Sequence, residues 1–211
     1  MEIVCFNTLE STQAYLIEKI KNKNITLPLA VTTKVQTAGV GSRDNSWEGG
    51  NGNLFFSVAI SLELLPDDLP LSSASIYFSF IMKQVLVKHV EDVWLKWPND
   101  LYYNQSKIGG TITKKIDNIL VCGIGVNLQK NQNCFKALNL DIEPIILLKK
   151  YLSELEKYPT WKQVFSEYRI EFGRSKEFFT HINKEYKSLE NAILSEDGSL
   201  IIDNKRVYSI R

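Results

Sequence analysis

Long apolar runs are missing from this 211-residue chain. No stretch reaches the roughly 18 consecutive apolar residues of a membrane-spanning helix, so no span is expected. Excess charge is missing too: 25 lysines and arginines face 24 acidic residues, a net +1. That balance gives no electrostatic footprint for bulk binding to nucleic acid or membrane surfaces. Cysteine is sparse. Cys5, Cys122 and Cys134 are widely spaced, form no Cys-x-x-Cys, and have only two histidines for company. Zinc is therefore not expected, and the thiols read as reduced ones in a cytoplasmic protein. Met1 to Thr8 shows neither a basic region nor an apolar one, so no signal peptide is expected. Repeats and low-complexity segments are absent. What remains is ordinary: 44% apolar and 23% charged residues, the composition of a soluble globular domain with a small appendage.

The local patterns alternate between strand and helix. Ser11 and Thr12 precede Tyr15, Leu16, Ile17 and Ile20, which predicts a helix start. Leu29–Thr33 and Leu54–Ile60 read as strands, the second continuous enough to be central. Residues 36–53 hold five glycines and read as a mobile loop. Leu71–Glu91 has helical spacing, Val93–Lys96 is a short strand, and Lys107–Lys115 and Ile119–Asn127 are strands joined at Asp117-Asn118. Pro144–Tyr158 and Trp161–Glu171 read as helices. Short strands then follow at Ala192–Leu194, Leu200–Ile202 and Val207–Ile210, with turns at Asp197-Gly198 and Asp203-Asn204. The expected division is 1–175 for a main domain and 176–211 for a small β module.

The chemistry concentrates in Lys96-Trp97-Pro98-Asn99-Asp100 and the following Lys107-Ile108-Gly109-Gly110. A cation, a large aromatic, a proline, an amide and a carboxylate in succession are not what a core requires. Their place at a strand end is where open α/β sheets put ligand chemistry. Lys96 and Lys107 suit an anion, Asn99 offers a donor and an acceptor, and Asp100 suits a cation or a lysine partner. The loop from Gln36 to Trp47 has Gly39-x-Gly41 for close backbone approach and Arg43 for charge. Trp47 is suited to cover a flat ring. This is neither a Walker A loop nor a dinucleotide fingerprint. Gly109-Gly110 and Gly123-Ile124-Gly125, in neighbouring strands, suggest a flat slot ending at Asn127. His89 reads as a helix-end residue and His181 as a surface one.

Taken in order, Glu10-Ser11-Thr12-Gln13, Gln36-x-x-Gly39-x-Gly41, Trp47, Gly52-Asn53-Leu54, Lys96–Asp100, Lys107–Gly110 and Gly123–Asn127 resemble the biotin protein ligases. Lys-Trp-Pro-Asn-Asp with a lysine seven residues beyond its aspartate is specific to them. The resemblance implies an α/β (α+β) fold: a mixed central sheet flanked by helices, of the class II aminoacyl-tRNA synthetase/biotin synthetase kind, with a truncated SH3-like β tail. It implies two steps. Biotin and ATP, with Mg²⁺, give biotinyl-5′-adenylate and pyrophosphate, and a lysine of a biotin carboxyl carrier protein domain then attacks the adenylate. The biotin end falls to Ser11, Thr12, Gln13, Gln36, Gly39, Val40, Gly41, Ser42, Lys107 and Gly110. ATP falls to Arg43, Trp47, Lys96, Asn99 and Asn127, and catalysis to Lys107, Arg43 and Asp100. No metal ligand beyond Mg²⁺ carried with ATP is implied.

The loop departs from the family pattern. Val40 and Ser42 stand where arginines are usual, leaving Arg43 one place later, which predicts looser electrostatic hold on the adenylate. Only about ten residues precede Ser11, so the DNA-binding domain of some members is expected to be absent, and with it DNA as a partner. A homodimer is one arrangement the resemblance implies. Two other readings stand beside ligation: a lipoate or octanoate ligase or transferase of the same fold, which would lack Lys96–Asp100 as a motif, and a biotin-binding module without catalysis.

Overall fold

The computed structural model describes residues 1–42, 46–47, 50–130, 137–182 and 185–209. Seven strands form the main sheet: β1 (Glu2–Leu9), β2 (Leu29–Gln36), β3 (Leu54–Ser61), β4 (Val93–Lys96), β5 (Asp100–Tyr103), β6 (Ser106–Ile116) and β7 (Ile119–Val126). Their spatial order is β1-β2-β3-β7-β6-β5-β4. The β1–β2 pair is parallel and every other neighbouring pair is antiparallel. The sheet is therefore mixed, as expected. β3 is buried at every position but its last, because helices cover both of its faces.

One face is covered by α1 (Thr12–Lys21). Leu16 and Ile20 pack there on Val31, Ala59 and Val121. Ser11 caps the helix by accepting from the Ala14 N–H at 3.3 Å, a contact that stabilises by about 1 kcal/mol. Lys19 and Lys21 in the last turn complement the helix dipole. The other face carries the larger core under α2 (Ala74–Leu86), α3 (Pro144–Leu155) and α4 (Trp161–Glu171). α4 begins with a Thr160/Gln163 capping box, and Asp68 accepts from two of its first N–H groups.

Five short strands follow. β8 (Phe179–Ile182) and β9 (Glu185–Ser188) form a hairpin, and β10 (Ile193–Leu194), β11 (Leu200–Ile202) and β12 (Lys205–Val207) form a three-stranded sheet. The β10–β11 turn is bound into the larger core. Ser73 Oγ donates to the Asp197 carbonyl at 2.5 Å, the Trp161 indole donates to Glu196 O at 2.8 Å, and the Trp97 indole donates to Gly198 O at 2.9 Å. Gly198 sits at φ +78, and a Cβ there would press on the Ser73 side chain.

Several boundaries differ from the sequence reading. The helix expected over Leu71–Glu91 is a 3-10 turn (Leu71–Ser73) followed by α2, which stops at Leu86. Both His89 and Val90 then bond back to Leu86 O, and Asp92 takes φ +61, leaving the helix. The helix expected to reach Tyr158 ends at Leu155. Pro159 disfavours helical geometry at the residue before it, and Tyr158 lies at φ +45. The last tail strand is Lys205–Val207, starting earlier than the expected Val207–Ile210, whose final residue lies outside the described ones, because Asp203 and Asn204 both have positive φ and close a two-residue turn. β1, β5, β8 and β9 are additional strands. The described part of the 36–53 loop is fastened, with Thr37 and Ala38 N–H on the Leu9 and Glu10 carbonyls and Trp47 N–H on Gly39 O.

Candidate active site

Five elements meet on the α1 face of the sheet: the N-terminus of α1, the end of β2, the middle of β3, and the glycine-bearing parts of β6 and β7. They enclose a cavity lined by Thr12, Gln36, Ser57, Lys107, Gly110 and Gly123, among others. Ser11, Gln13, Val40, Gly41, Ser42, Trp47 and Asn99 also reach it. Gly39 is not among the lining residues; a Cβ there would collide with the Gln36 amide and the Trp47 carbonyl.

At one end the polar groups form a closed set. Thr12 donates its backbone N–H and its hydroxyl to Gln36 Oε1, at 3.0 and 3.2 Å. The Thr12 hydroxyl also pairs with Ser57 Oγ at 2.8 Å. The carbonyl side of Gln36 is thereby fixed, and the hydroxyls of Thr12 and Ser57 sit at the cavity wall. Sequence reading missed Ser57. Its signal was a hydroxyl in the middle of the apolar run Leu54–Ile60 of β3, on the side-chain face shared with Phe55 and Ala59.

Along the floor, Gly110, Gly123 and Gly125 open to the cavity. Gly109 does not line it: a Cβ there would meet Gly125 O at 2.7 Å and the Leu101 side chain, so this glycine serves strand packing on the far face. The Trp47 indole packs against Gly125, where a Cβ would come 2.6 Å from its Cε2. The slot expected between sheet and loop is thus present, with the indole as one wall.

At the other end stands Lys107, whose ammonium is 2.6 Å from Asp100 Oδ1 and 5.8 Å from the Trp47 ring centroid. Asp100 Oδ2 faces Lys96 at 3.8 Å. The strand register explains this triad: Lys96 opposes Asp100 across β4–β5, and Lys107 opposes Tyr102, two residues along β5 from Asp100. Lys96 also lies over the Tyr102 ring at 5.4 Å. Burial, then the Asp100 charge, pushes Tyr102 up to about 12, so its hydroxyl stays protonated beside the lysines at neutral pH.

The remaining motif residues divide between cavity and scaffold. Asn99 lines the cavity, and its amide N–H is committed to Thr111 O at 2.6 Å while Thr111 N–H returns to Asn99 O. Trp97 is fully buried in the core, with its backbone N–H on Ser175 Oγ and its indole on Gly198. Asn127 is buried beyond the end of β7. Its backbone joins Ile108 and Leu138, and its side-chain oxygen has no hydrogen-bond partner among the described residues. It lines neither this cavity nor the one next to it. Arg43 and Cys134 lie outside the described residues. Cys122 is buried, which pushes its thiol well up and leaves no reactive thiolate there. Among the described residues no group of three metal-ligating side chains occurs. No helix among them is long and apolar enough to cross a membrane.

The arrangement has the shape and polarity to suit a ligand that is flat in the middle, polar at one end and anionic at the other. A family profile described as "Biotin/lipoate A/B protein ligase family" matches residues 5–131. Over 122 residues the chain is 35% identical to biotin–protein ligase 2 of Arabidopsis thaliana, a match covering 52% of this chain and 36% of that protein. The chain thus spans about a third of the length of that curated relative. Among solved structures it superposes on a biotin acetyl coenzyme A carboxylase synthetase from Helicobacter pylori with bound biotinylated ATP. The TM-score is 0.93 at 38% identity, over 98% of this chain and 99% of that one. The biotin protein ligase of Aquifex aeolicus in complex with biotin and ATP shares the fold at TM-score 0.72 and 19% identity, over 100% and 96% of the two chains.

Proposed function

The chain belongs to the biotin/lipoate A/B protein ligase family, and from that membership we propose that it activates biotin with ATP and transfers it to a lysine of a carrier protein. The observation that carries this reading is Lys107, paired to Asp100 at 2.6 Å, at the end of a slot whose other end is the Thr12–Gln36–Ser57 set. The hydroxyls and amide suit the ureido group of biotin, the flat glycine floor its fused rings, and Lys107 its carboxylate. The Lys96–Asp100 motif favours biotin over lipoate or octanoate.

In the first step two anions must meet, the biotin carboxylate and the α-phosphate. The Lys107 ammonium placed between them offsets their repulsion and the charge that grows in flight. The mixed anhydride hydrolyses in water, and the loop residues Val40, Gly41, Ser42 and Trp47 that line the slot would exclude it. Mg²⁺ would arrive with the triphosphate and neutralise part of its charge. Asp100 is the one carboxylate among the described cavity residues, so the ion would take most of its ligands from phosphate and water. In the second step the neutral amine of the acceptor lysine forms an amide bond to the biotin carbonyl carbon as the bond to AMP breaks and AMP leaves, and Asp100 would orient that amine. The acceptor is a carrier domain of a biotin-dependent carboxylase, reached in the cytoplasm. We retain 1–175 as the catalytic unit and 176–211 as an accessory one. A homodimer would draw on β1, an edge of the main sheet.

The test is incubation with ATP, Mg²⁺, labelled biotin and an apo carrier domain. Label on a carrier lysine is expected. Biotin binding without transfer would leave a binding module, and lipoate transfer in place of biotin would move the chain to the other branch. The loop adds a second expectation. Ser42 lies where the slot ends, and Ser42→Arg adds a charge-assisted contact to the adenylate. Release of biotinyl-adenylate into solution should slow by about tenfold. An unchanged release rate would take Ser42 out of retention.

A further inference from the structure

The edge of the main sheet that carries Lys96 is closed by side chains rather than by another strand. β4 stands last in the sheet order and pairs with β5 alone among the described strands. Its outward N–H groups therefore have no strand to receive them. Leu95 and Trp97 are fully buried, so an unreceived N–H at either would be costly. Glu171, the last residue of α4, receives the Leu95 N–H on Oε1 at 3.2 Å. Ser175, in the 3-10 turn Phe172–Glu177 that follows, receives the Trp97 N–H on Oγ at 3.1 Å. Two residues of strand span about 6.6 Å, and four of helix about 6 Å. The spacing of the acceptors thus matches that of the donors, and the end of α4 stands in for a missing strand. The same segment grips β4 through its rings: the Arg174 guanidinium lies 4.8 Å over the Trp94 ring, and Phe178 lies 5.3 Å from Trp94 and 5.8 Å from the Lys96 ammonium.

The second oxygen of Glu171 is taken by Lys83 of α2 at 2.7 Å, with both side chains largely buried. Burial raises the Glu171 carboxyl above its ordinary range, and Lys83 only partly offsets this. Such a pair is weak evidence for stability, because apolar side chains of similar volume often serve as well. What apolar side chains cannot supply is an acceptor for Leu95. β4 then turns through Trp97-Pro98-Asn99 into Asp100, whose carboxylate faces Lys96 at 3.8 Å and Lys107 at 2.6 Å. We propose that Glu171 and Ser175 are positioning residues for this triad. They fix the edge strand from which Lys96 projects, and through it the phosphate end of the slot. This inference rests on the ligase reading. The Thr12–Gln36–Ser57 end is built on α1, β2 and β3, with β7, β6 and β5 between β3 and β4. A loosened β4 should therefore reach the nucleotide and spare biotin.

The experiment compares two neutral versions of the ion pair, by biotin-dependent exchange of labelled pyrophosphate into ATP and by biotin titration. Lys83→Met with Glu171→Gln keeps an acceptor for Leu95, and Lys83→Met with Glu171→Met does not. The second should have a kcat/KM for ATP about tenfold to a hundredfold below the first, the scale of a small misplacement beside reacting groups. The Kd for biotin should be the same in both. Ser175→Ala, which leaves the ion pair intact, should also lower kcat/KM for ATP without changing the biotin Kd. Equal kcat/KM in the two double variants overturns the proposal. So does a biotin Kd that weakens in step with it, which would make the end of α4 a general support. Parental ATP kinetics in Ser175→Ala overturn it too, a result that stands even if the methionine pair fails to fold. No exchange by the unsubstituted protein would instead overturn the ligase reading.

Discussion

Lys107→Ala is expected to lose about three orders of magnitude of biotin-dependent pyrophosphate exchange, the scale for removing one preorganised donor from a developing charge. The same variant should unfold at nearly the parent's denaturant midpoint. Lys107 is about a third exposed and its partner Asp100 retains Lys96 at 3.8 Å, so the lost ion pair costs at most about 1 kcal/mol. Chemistry and stability therefore separate. Lys107→Arg keeps the charge but replaces a point ammonium by a planar fork, and should recover only part of the rate. Equilibrium unfolding and exchange on the same preparation check both halves. Near-parental exchange in Lys107→Ala would remove this residue from the mechanism.

Gly125→Ala is expected to weaken biotin binding by about tenfold to a hundredfold, the effect of overpacking by one methyl at a site that cannot yield. The added Cβ would stand 2.6 Å from Trp47 Cε2, and the indole must leave the floor. β7 itself accepts alanine, because residue 125 pairs with Phe55 and Gly110 through backbone groups. The change should thus spare the fold. A double-substitution cycle separates this route from others. If the loss runs through the indole, Gly125→Ala added to Trp47→Ala should cost little more than Trp47→Ala alone. Biotin titration of the four proteins gives the result, and an undiminished affinity in Gly125→Ala would sink the assignment of Trp47 as a wall.

The parts of the fold that could be read in advance are those whose cause is local. α1 begins where Ser11 provides a cap, and β6–β7 turns where Asp117 tolerates φ +49. β3 is continuous in apolar residues because both of its faces are covered. β1 escaped notice because its burial is uneven and its pairing with β2 is parallel, which no short turn announces. β8 and β9 escaped because they are short and largely exposed. The site divides in the same way. Lys96, Asp100 and Lys107 stood out by chemistry, and the antiparallel register brings them together. Ser57 did not stand out. Its value lies in a contact with Thr12, 45 residues earlier. That partner is not visible from neighbouring residues. Trp97 looked like part of the site and is instead core, because its indole finds a carbonyl 101 residues away.

That last separation orders events on the ribosome. Trp97 is synthesised long before Gly198, the residue whose carbonyl receives its indole. While the chain is still growing, the stretch bearing Asn99 and Asp100 lacks its anchor, and the sheet around it can form first. The motif is tied down only when the β10–β11 turn has emerged and docked. Competence for catalysis is therefore acquired only after a turn 101 residues downstream of Trp97 has emerged.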